Sequence, residues 1–282
     1  MKKDQYVIAC VETPEGAELI IPWARHYAQS LNGKGLMLLN VTKVERRASS
    51  LAMPRSSNVT EGNVSRDGDS DWLKQYGLPY AGLRGDWKTA IDGLPTAFGG
   101  ILAVTAVDPT APHRSITNPR TMLRQFRDCK IAYLAVPIPS NGTPLTSSVS
   151  IVLDHRRESK EKFIWASYLV RFVGAKLTVA LPDYRDAGLR AQQQNNLRYL
   201  EKIAPSLGLT YSTATIPAPA MTPPDVVAVE ALRPDIVLAL ATDRRDRDVG
   251  DWLLGDPELK LLRSGTPTLL LNQRDDLYVL CD

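Results

Sequence analysis

The sequence predicts an α/β protein built on parallel sheets, with the plan laid out twice along the chain. Three observations carry that prediction. Apolar runs of about four to eight residues, too short for buried helices, alternate with longer segments that are apolar on one side only. Helix-starting Thr-Pro, Asn-Pro and Pro-Asp pairs and terminating glycines bound those segments. The order of elements that begins at Tyr6 begins again at Ser148, about 142 residues later, as an internal duplication would.

In the first half, Tyr6 to Glu12 (YVIACVE) is a compact apolar run ending in a carboxylate, a first strand. Thr13 can cap the next helix, Pro14 suits its first turn and Glu15 complements the positive end of its dipole. Leu19, Ile20, Trp23, Tyr27 and Leu31 recur at helical spacing until Asn32-Gly33. Gly35 to Val41 is the second strand, so the opening unit is βαβ with a right-handed crossover. From Lys43 to about Asp71 periodicity is lost, which reads as a surface excursion. Read as a lid, it would offer Arg46, Arg47, Arg55 and Arg66 to an anion. Trp72 to Tyr76 suggests a short helix, Tyr80 to Arg84 a third strand and Gly99 to Ala106 a fourth. Then comes VDPTAPHRSITNPR, with no glycine between Gly100 and Gly142. Its prolines 109, 112 and 119 remove amide donors. Asn118-Pro119 opens a helix through Cys129, and Ile131 to Val136 is the fifth strand.

Ser140 to Ser147 (SNGTPLTS) reads as a linker, dividing the chain into domains at 1–139 and 148–282. The second half repeats the plan. Ser148 to Asp154 (SVSIVLD) matches YVIACVE, so Glu12 and Asp154 close equivalent runs. Glu158 to Val173 is a helix with Phe163, Ala166, Leu169, Val170 and Val173 on one face, ended by Gly174. Ala175 to Leu181 is a strand, Asp186 to Leu207 a long helix ended by Gly208, and Leu209 to Ile216 a third strand. Pro223-Pro224-Asp225 starts a helix through Leu232.

The closing stretch, Arg233 to Asn272, is a further strand-loop-helix-strand unit. Asp235 to Leu240 fits a strand covered on both faces, Asp256 to Arg263 an amphipathic helix and Thr268 to Leu271 a last strand. A loop that leads into a helix N-terminus is a place where an anion could sit. The run DIVLALAT…WLLGDPELKLLRSGTPTLLL resembles the last third of the universal stress protein family. So does TMLRQFRDCKIAYLAVP at the end of the first half, and Gly85-Asp86 with Ala90-Ile91 resembles the family's G-D-x-x-x-A-I element. The chain is therefore similar to a tandem universal stress protein.

That resemblance implies two five-stranded parallel sheets, each in the order 3-2-1-4-5 with helices on both faces, of the adenine-nucleotide alpha-hydrolase type. It also implies a ligand site at the carboxyl ends of strands one and four, and internal pairing of the two halves through their last strands, Ile131–Val136 and Thr268–Leu271. A homodimer is the other arrangement the family suggests. In the second half the implied nucleotide pocket comprises Asp154, Leu181, Ala241, Thr242, Arg244, Gly255 and Asp256, with ATP or AMP as its ligand. Gly255 fits the late glycine of the family's G-x2-G-x9-G-[S/T] loop. Ala241 or Thr242 stands where the first glycine belongs, Arg244 near the second, and Asp256 where Ser or Thr is expected. A carboxylate at that helix start caps it from within and repels a phosphate about 4 Å away by roughly 1 kcal/mol even in water-like dielectric. The first half lacks the loop altogether. The expectation is thus a stress-response binding or interaction protein in which nucleotide binding is weak or lost and nothing is turned over. The alternative is an ATP-binding switch in the second half with slow hydrolysis at most.

Composition narrows the remainder. With 34 basic and 31 acidic residues the formal charge is +3, and no Lys/Arg block is interleaved with aromatics, so nucleic acid is not expected. No apolar run approaches the roughly 20 residues that span a bilayer. Cys10, Cys129 and Cys281 are too scattered for a disulfide framework or a metal site, which points to reduced thiols and the cytoplasm. His26, His113 and His155 show no metal spacing, and no nucleophile motif is present. His155 follows Asp154 directly, but neighbours on a strand point to opposite faces. A protein partner is expected, without a feature that names it.

Overall fold

The computed structural model describes residues 5–31, 34–42, 64–65, 68–127, 129–138, 144, 146–156, 159–160, 162–219, 222–241 and 256–272. The chain divides into two compact units, Met1–Pro144 and Leu145–Asp282. The α/β class with parallel sheets is what folds.

In the first unit, β1 (Tyr6–Cys10) is the hub, with Val7, Ile8 and Ala9 wholly buried. It pairs in parallel with β2 (Gly35–Thr42) on one side and with the strand Gly100–Val107 on the other. Numbered in chain order, β3 (Val64–Ser65) and β4 (Tyr80–Arg84) extend the sheet beyond β2, while β5 (Gly100–Val107) leads to β6 (Ala132–Pro137). The order is β3-β4-β2-β1-β5-β6. The stretch read as a surface excursion therefore contributes a two-residue strand; Arg46, Arg47, Arg55 and Arg66 lie outside the described residues.

Helix α1 (Pro14–Ser30) starts as the sequence dictates, with Thr13 Oγ1 accepting the Gly16 N–H at 3.2 Å and Pro14 in the first turn. It lays Ala17, Ile20, Trp23, Ala24 and Tyr27 on β1, β2 and β5, each large side chain contributing roughly 1.5–3 kcal/mol by leaving water. Before β4 runs a 3₁₀ helix, Gly68–Tyr76, longer than expected. After β4, Gly85 (φ 146°) turns the chain in a region closed to side chains, and Asp86 caps α2 (Trp87–Asp92) by accepting the Thr89 N–H at 3.0 Å. The short α3 (Leu94–Ala97) follows. Helix α4 (Pro119–Phe126) is capped by Asn118, which accepts from Arg120 N–H at 3.1 Å and Thr121 N–H at 3.4 Å. It ends at Phe126, three residues before Cys129.

In the second unit the strands are β7 (Ser148–Val152), β8 (Lys176–Pro182), β9 (Tyr211–Ile216), β10 (Ile236–Ala241) and β11 (Thr268–Asn272). All pair in parallel, in the order β9-β8-β7-β10-β11. Progress from β7 to β9 runs one way across the sheet, and from β9 to β11 the other. Right-handed crossovers therefore put α5 (Lys162–Tyr168) and α6 (Ala187–Leu207) on one face, α7 (Pro224–Leu232) and α8 (Pro257–Leu262) on the opposite face. Expected as one α-helix to Val173, α5 instead passes at Leu169 into a π turn, Leu169–Val173, closed by left-handed Gly174. Helix α6 presents Gln193, Asn196, Leu200 and Ala204 inward, and two of those four are amides.

Candidate functional site

In an open parallel sheet the ligand position lies outside the carboxyl ends of the strands, where the strand order reverses. In the second unit that point falls between β7 and β10. Two residues beyond the end of β7 stands Asp154, 1 % exposed. Its Oδ1 accepts the Arg156 N–H at 3.0 Å and the Ser159 hydroxyl, and its Oδ2 accepts Arg156 Nε at 2.7 Å. Burial by itself pushes the Asp154 carboxyl up. The charges of Arg156 and Lys162, with the Ser159 hydroxyl and the Arg156 amide, outweigh it and hold the group below the ordinary carboxylate range. The backbone here is equally committed. Asn196 Nδ2 donates to the carbonyls of Asp154 (3.0 Å) and Arg156 (2.9 Å), and Gln193 Nε2 to those of Leu153 (3.2 Å) and Pro182 (3.0 Å).

Lys162 closes the gap from the other side. It opens α5, is 0 % exposed, and its Nζ donates to the Val152 carbonyl at 3.0 Å and to Asp225 Oδ1 at 3.4 Å. Asp225 lies in the first turn of α7, on the opposite face of the sheet. The ammonium thus bridges both helix layers across the end of β7, at the mouth of the crevice. A buried lysine needs such partners, because an unpaired charge would cost several kcal/mol there.

His155 takes no part with Asp154. The strand has already ended, yet the two side chains still part: His155 Nδ1 lies 3.4 Å from the Tyr184 hydroxyl, with the rings edge-on at 5.5 Å. Burial, and then the Asp154 charge, push the Tyr184 hydroxyl up to about 12.

In the first unit the reversal falls between β1 and β5, and Glu12 stands just past β1. Its Oε1 accepts Trp87 Nε1 at 3.2 Å and the Ile116 N–H at 3.0 Å, and its Oε2 accepts the Ser115 hydroxyl. Ser115 Oγ is in turn 2.7 Å from Thr117 Oγ1. The proline-bearing loop after β5 is therefore an ordered plug. Asp108 N–H bonds the Thr117 carbonyl at 2.9 Å, Asn118 Nδ2 reaches the Ala111 carbonyl at 2.8 Å, and the Thr121 hydroxyl donates to the His113 carbonyl.

Of the pocket residues the sequence singled out, Asp154 and Leu181 stand on neighbouring strand ends, joined by Leu153 N–H to Ala180 carbonyl at 2.9 Å. Ala241 closes β10 opposite Asn272. Asp256 is the N-cap residue of α8, but the side-chain cap expected of its carboxylate is not made. Its carbonyl accepts Leu259 N–H at 3.1 Å and Lys260 N–H at 3.3 Å while the carboxylate makes no cap bond. Thr242, Arg244 and Gly255 lie outside the described residues. Among the described residues no group of His, Cys, Asp and Glu could hold a metal ion, and no helix is long and apolar enough to cross a membrane.

By sequence, the chain matches no family model and no curated protein. Solved structures do match. A universal stress protein from Archaeoglobus fulgidus DSM 4304 superposes with a TM-score of 0.59 at 12 % identity, over 97 % of this chain and 98 % of that one. A universal stress protein structure from Pseudomonas aeruginosa UCBPP-PA14 gives 0.55 at 16 %, over 98 % and 95 %. The chain has the universal stress protein fold. The cytoplasmic domain of a prokaryotic cation chloride cotransporter is also similar, with a TM-score of 0.54 at 10 % identity over 98 % of this chain and 99 % of that one. The universal stress protein fold therefore does not by itself choose a function.

Lys162, Asp225, Gln193, Asn196 and Ser159 were not singled out by the sequence. Two signals were there to find. Lys162 falls on the apolar face shared by Ala166 and Leu169, and Gln193 and Asn196 fall on the inner stripe with Leu200 and Ala204.

Proposed function

We propose that this chain is a tandem universal stress protein acting as a binding or interaction protein, in which its own side chains have taken the place of the nucleotide. One observation carries the reading: the reversal point of each unit is occupied from within. Lys162, Asp225 and Arg156 surround the end of β7, and Ser115, Ile116 and Trp87 converge on Glu12 at the end of β1. A nucleotide entering the second unit would meet an Asp154 already accepting from three donors and a crevice bridged by an ion pair. In the first it would have to displace a loop. The likeness of fold to universal stress proteins supports the setting, and the stress-linked role follows from that setting.

The test is calorimetric titration of the full chain with ATP and with AMP, each with and without magnesium. The expected result is no saturable heat at millimolar nucleotide. Micromolar binding abolished by Asp154→Ala would overturn the proposal and favour a nucleotide-binding switch in the second unit.

A further inference from the structure

The two units treat their outer strands differently. In the first, β4 is flanked by β2 and, at Ala81 and Gly82, by β3. In the second, β9 pairs with β8 alone among the described residues, and Ser212, Thr213 and Thr215 are exposed. Exposed edges are usually guarded by charge, yet from Ile203 to Pro224 the sequence holds no Asp, Glu, Lys, Arg or His. The Ile216 carbonyl accepts the Asp183 N–H at 2.9 Å, so Ile216 turns its backbone groups toward β8. Those groups alternate in direction along a strand, which leaves the amides and carbonyls of Tyr211, Thr213 and Thr215 pointing away from β8.

Helix α6 adds a second part to this edge. One of its flanks faces α5, where Tyr199 stacks on Phe163. The opposite flank carries Arg190, Gln194, Leu197 and Glu201, spaced as one helical stripe. That flank borders β9: burial, and then the Glu201 charge, push the Tyr211 hydroxyl up. Arg190 and Glu201 are both exposed, and about 16 Å of helix separates them, too far for them to meet within one chain. Turned end for end, the stripe complements itself, Arg190 falling opposite Glu201 and Gln194 opposite Leu197. Arg198 and Lys202 lie roughly a quarter turn further round, toward solvent. The levels agree as well. Thr213 is about 7 Å along β9 from Tyr211, which corresponds to four or five residues of α6 before Glu201, near the middle of the stripe. A crossover helix lies over the gap between the strands it joins, so two copies paired edge to edge would hold their α6 helices two strand spacings apart. That is about 10 Å, an ordinary distance for packed helices.

We propose that β9 and the outer flank of α6 form a pairing surface for a second copy of this chain, the two β9 strands running antiparallel about Thr213 and each Arg190 meeting the partner's Glu201. The two-fold sets Tyr211 against the partner's Thr215, an aromatic and β-branched pair of the kind that stabilises sheets. Asp183, Arg185 and Asp186, in the turn beside the far end of β9, fall against the uncharged start of the partner's β9. The inference goes beyond the reading of the crevices and does not depend on whether they take nucleotide. Sedimentation equilibrium of the full chain should show a dimer at micromolar concentration. Arg190→Glu and Glu201→Arg should each raise its dissociation constant about tenfold, because each sets like charges together at two places. The doubly exchanged chain should return to within about threefold of the unaltered one. Since the two residues cannot meet within one chain, that rescue reports contact between copies. Thr213→Pro removes an outward amide at an edge position, where proline is tolerated, and should leave a folded monomer. A dimer that Thr213→Pro leaves intact, or that the double exchange does not restore, overturns the proposal and places the contact elsewhere. So does a chain that stays monomeric; protection of its Thr213 and Thr215 amides from exchange would then mean that the chain covers this edge itself.

Discussion

Replacing Lys162 by methionine keeps the stem of the side chain and removes only its charge and its donors. In the folded chain the ammonium is fully buried and serves two acceptors, the Val152 carbonyl at 3.0 Å and Asp225 at 3.4 Å, with Asp154 close enough to feel its charge. The variant leaves Asp225 without its cation in the first turn of α7 and the Val152 carbonyl without a donor. Removing one member of a buried pair costs about 3–5 kcal/mol, and an orphaned buried acceptor about 1–3. The 3.4 Å contact is long and Asp225 is partly exposed, so the lower end applies, about 3 kcal/mol. For a body of this size that is a drop of about 6–12 °C in Tm. Urea unfolding of Lys162→Met, Asp225→Asn and the double variant gives the coupling directly. The double variant should recover at least about 1 kcal/mol relative to the sum of the singles. Strict additivity, or a Lys162→Met loss under about 1 kcal/mol, would refute the idea that this pair closes the crevice.

Four further outcomes are expected. Glu12→Ala removes the acceptor of Trp87, Ser115 and Ile116. It should cost about 2–3 kcal/mol and bring the Ile116 amide into exchange far ahead of the β1 amides. The Asp154 carboxyl titrates below its unfolded value of about 3.9, so its contribution is complete above that pH and is lost as pH falls through the folded value. An acid titration of Asp154→Asn should therefore lose stability less steeply below about pH 4 than the unaltered chain. Asn118→Ala, by deleting the cap of α4 and the bond to the Ala111 carbonyl, should cost about 1–2 kcal/mol in urea unfolding. Arg233 ends α7 with φ 46°, a conformation that glycine adopts without penalty. Arg233→Gly should raise stability by about 0.5–1 kcal/mol, and a loss there would mean that the Arg233 side chain holds more than its backbone shows.

The strands and most helix starts were legible because they rest on short-range chemistry. Thr13, Asp86 and Asn118 each stand beside the amides they cap, and the glycines at 85, 174 and 208 stop or turn the chain where expected. The candidate site was harder to read because its bonds span long separations. Lys162 and Asp225 lie 63 residues apart and Glu12 and Ile116 lie 104 apart, so no local window contains either pair. The proline-bearing loop was understood for the donors its prolines remove. Its ordering comes from the donors they leave, at Ser115 and Ile116. The π turn at Leu169–Val173 has no sequence signature at all; LVRFV is as good an α-helix as its neighbours. Where α4 stops was also beyond reading, since Arg127 keeps helical dihedrals and still donates to the Leu123 carbonyl at 3.0 Å.

The plug in the first unit is part of the same polymer as the crevice it fills. A tethered occupant competes with free molecules at an effective concentration of about a millimolar or more, whatever the cell contains. A metabolite would have to outbid that local excess before it registered at all. If the proposed function holds, the crevice of the first unit is indifferent to ordinary swings in small-molecule supply.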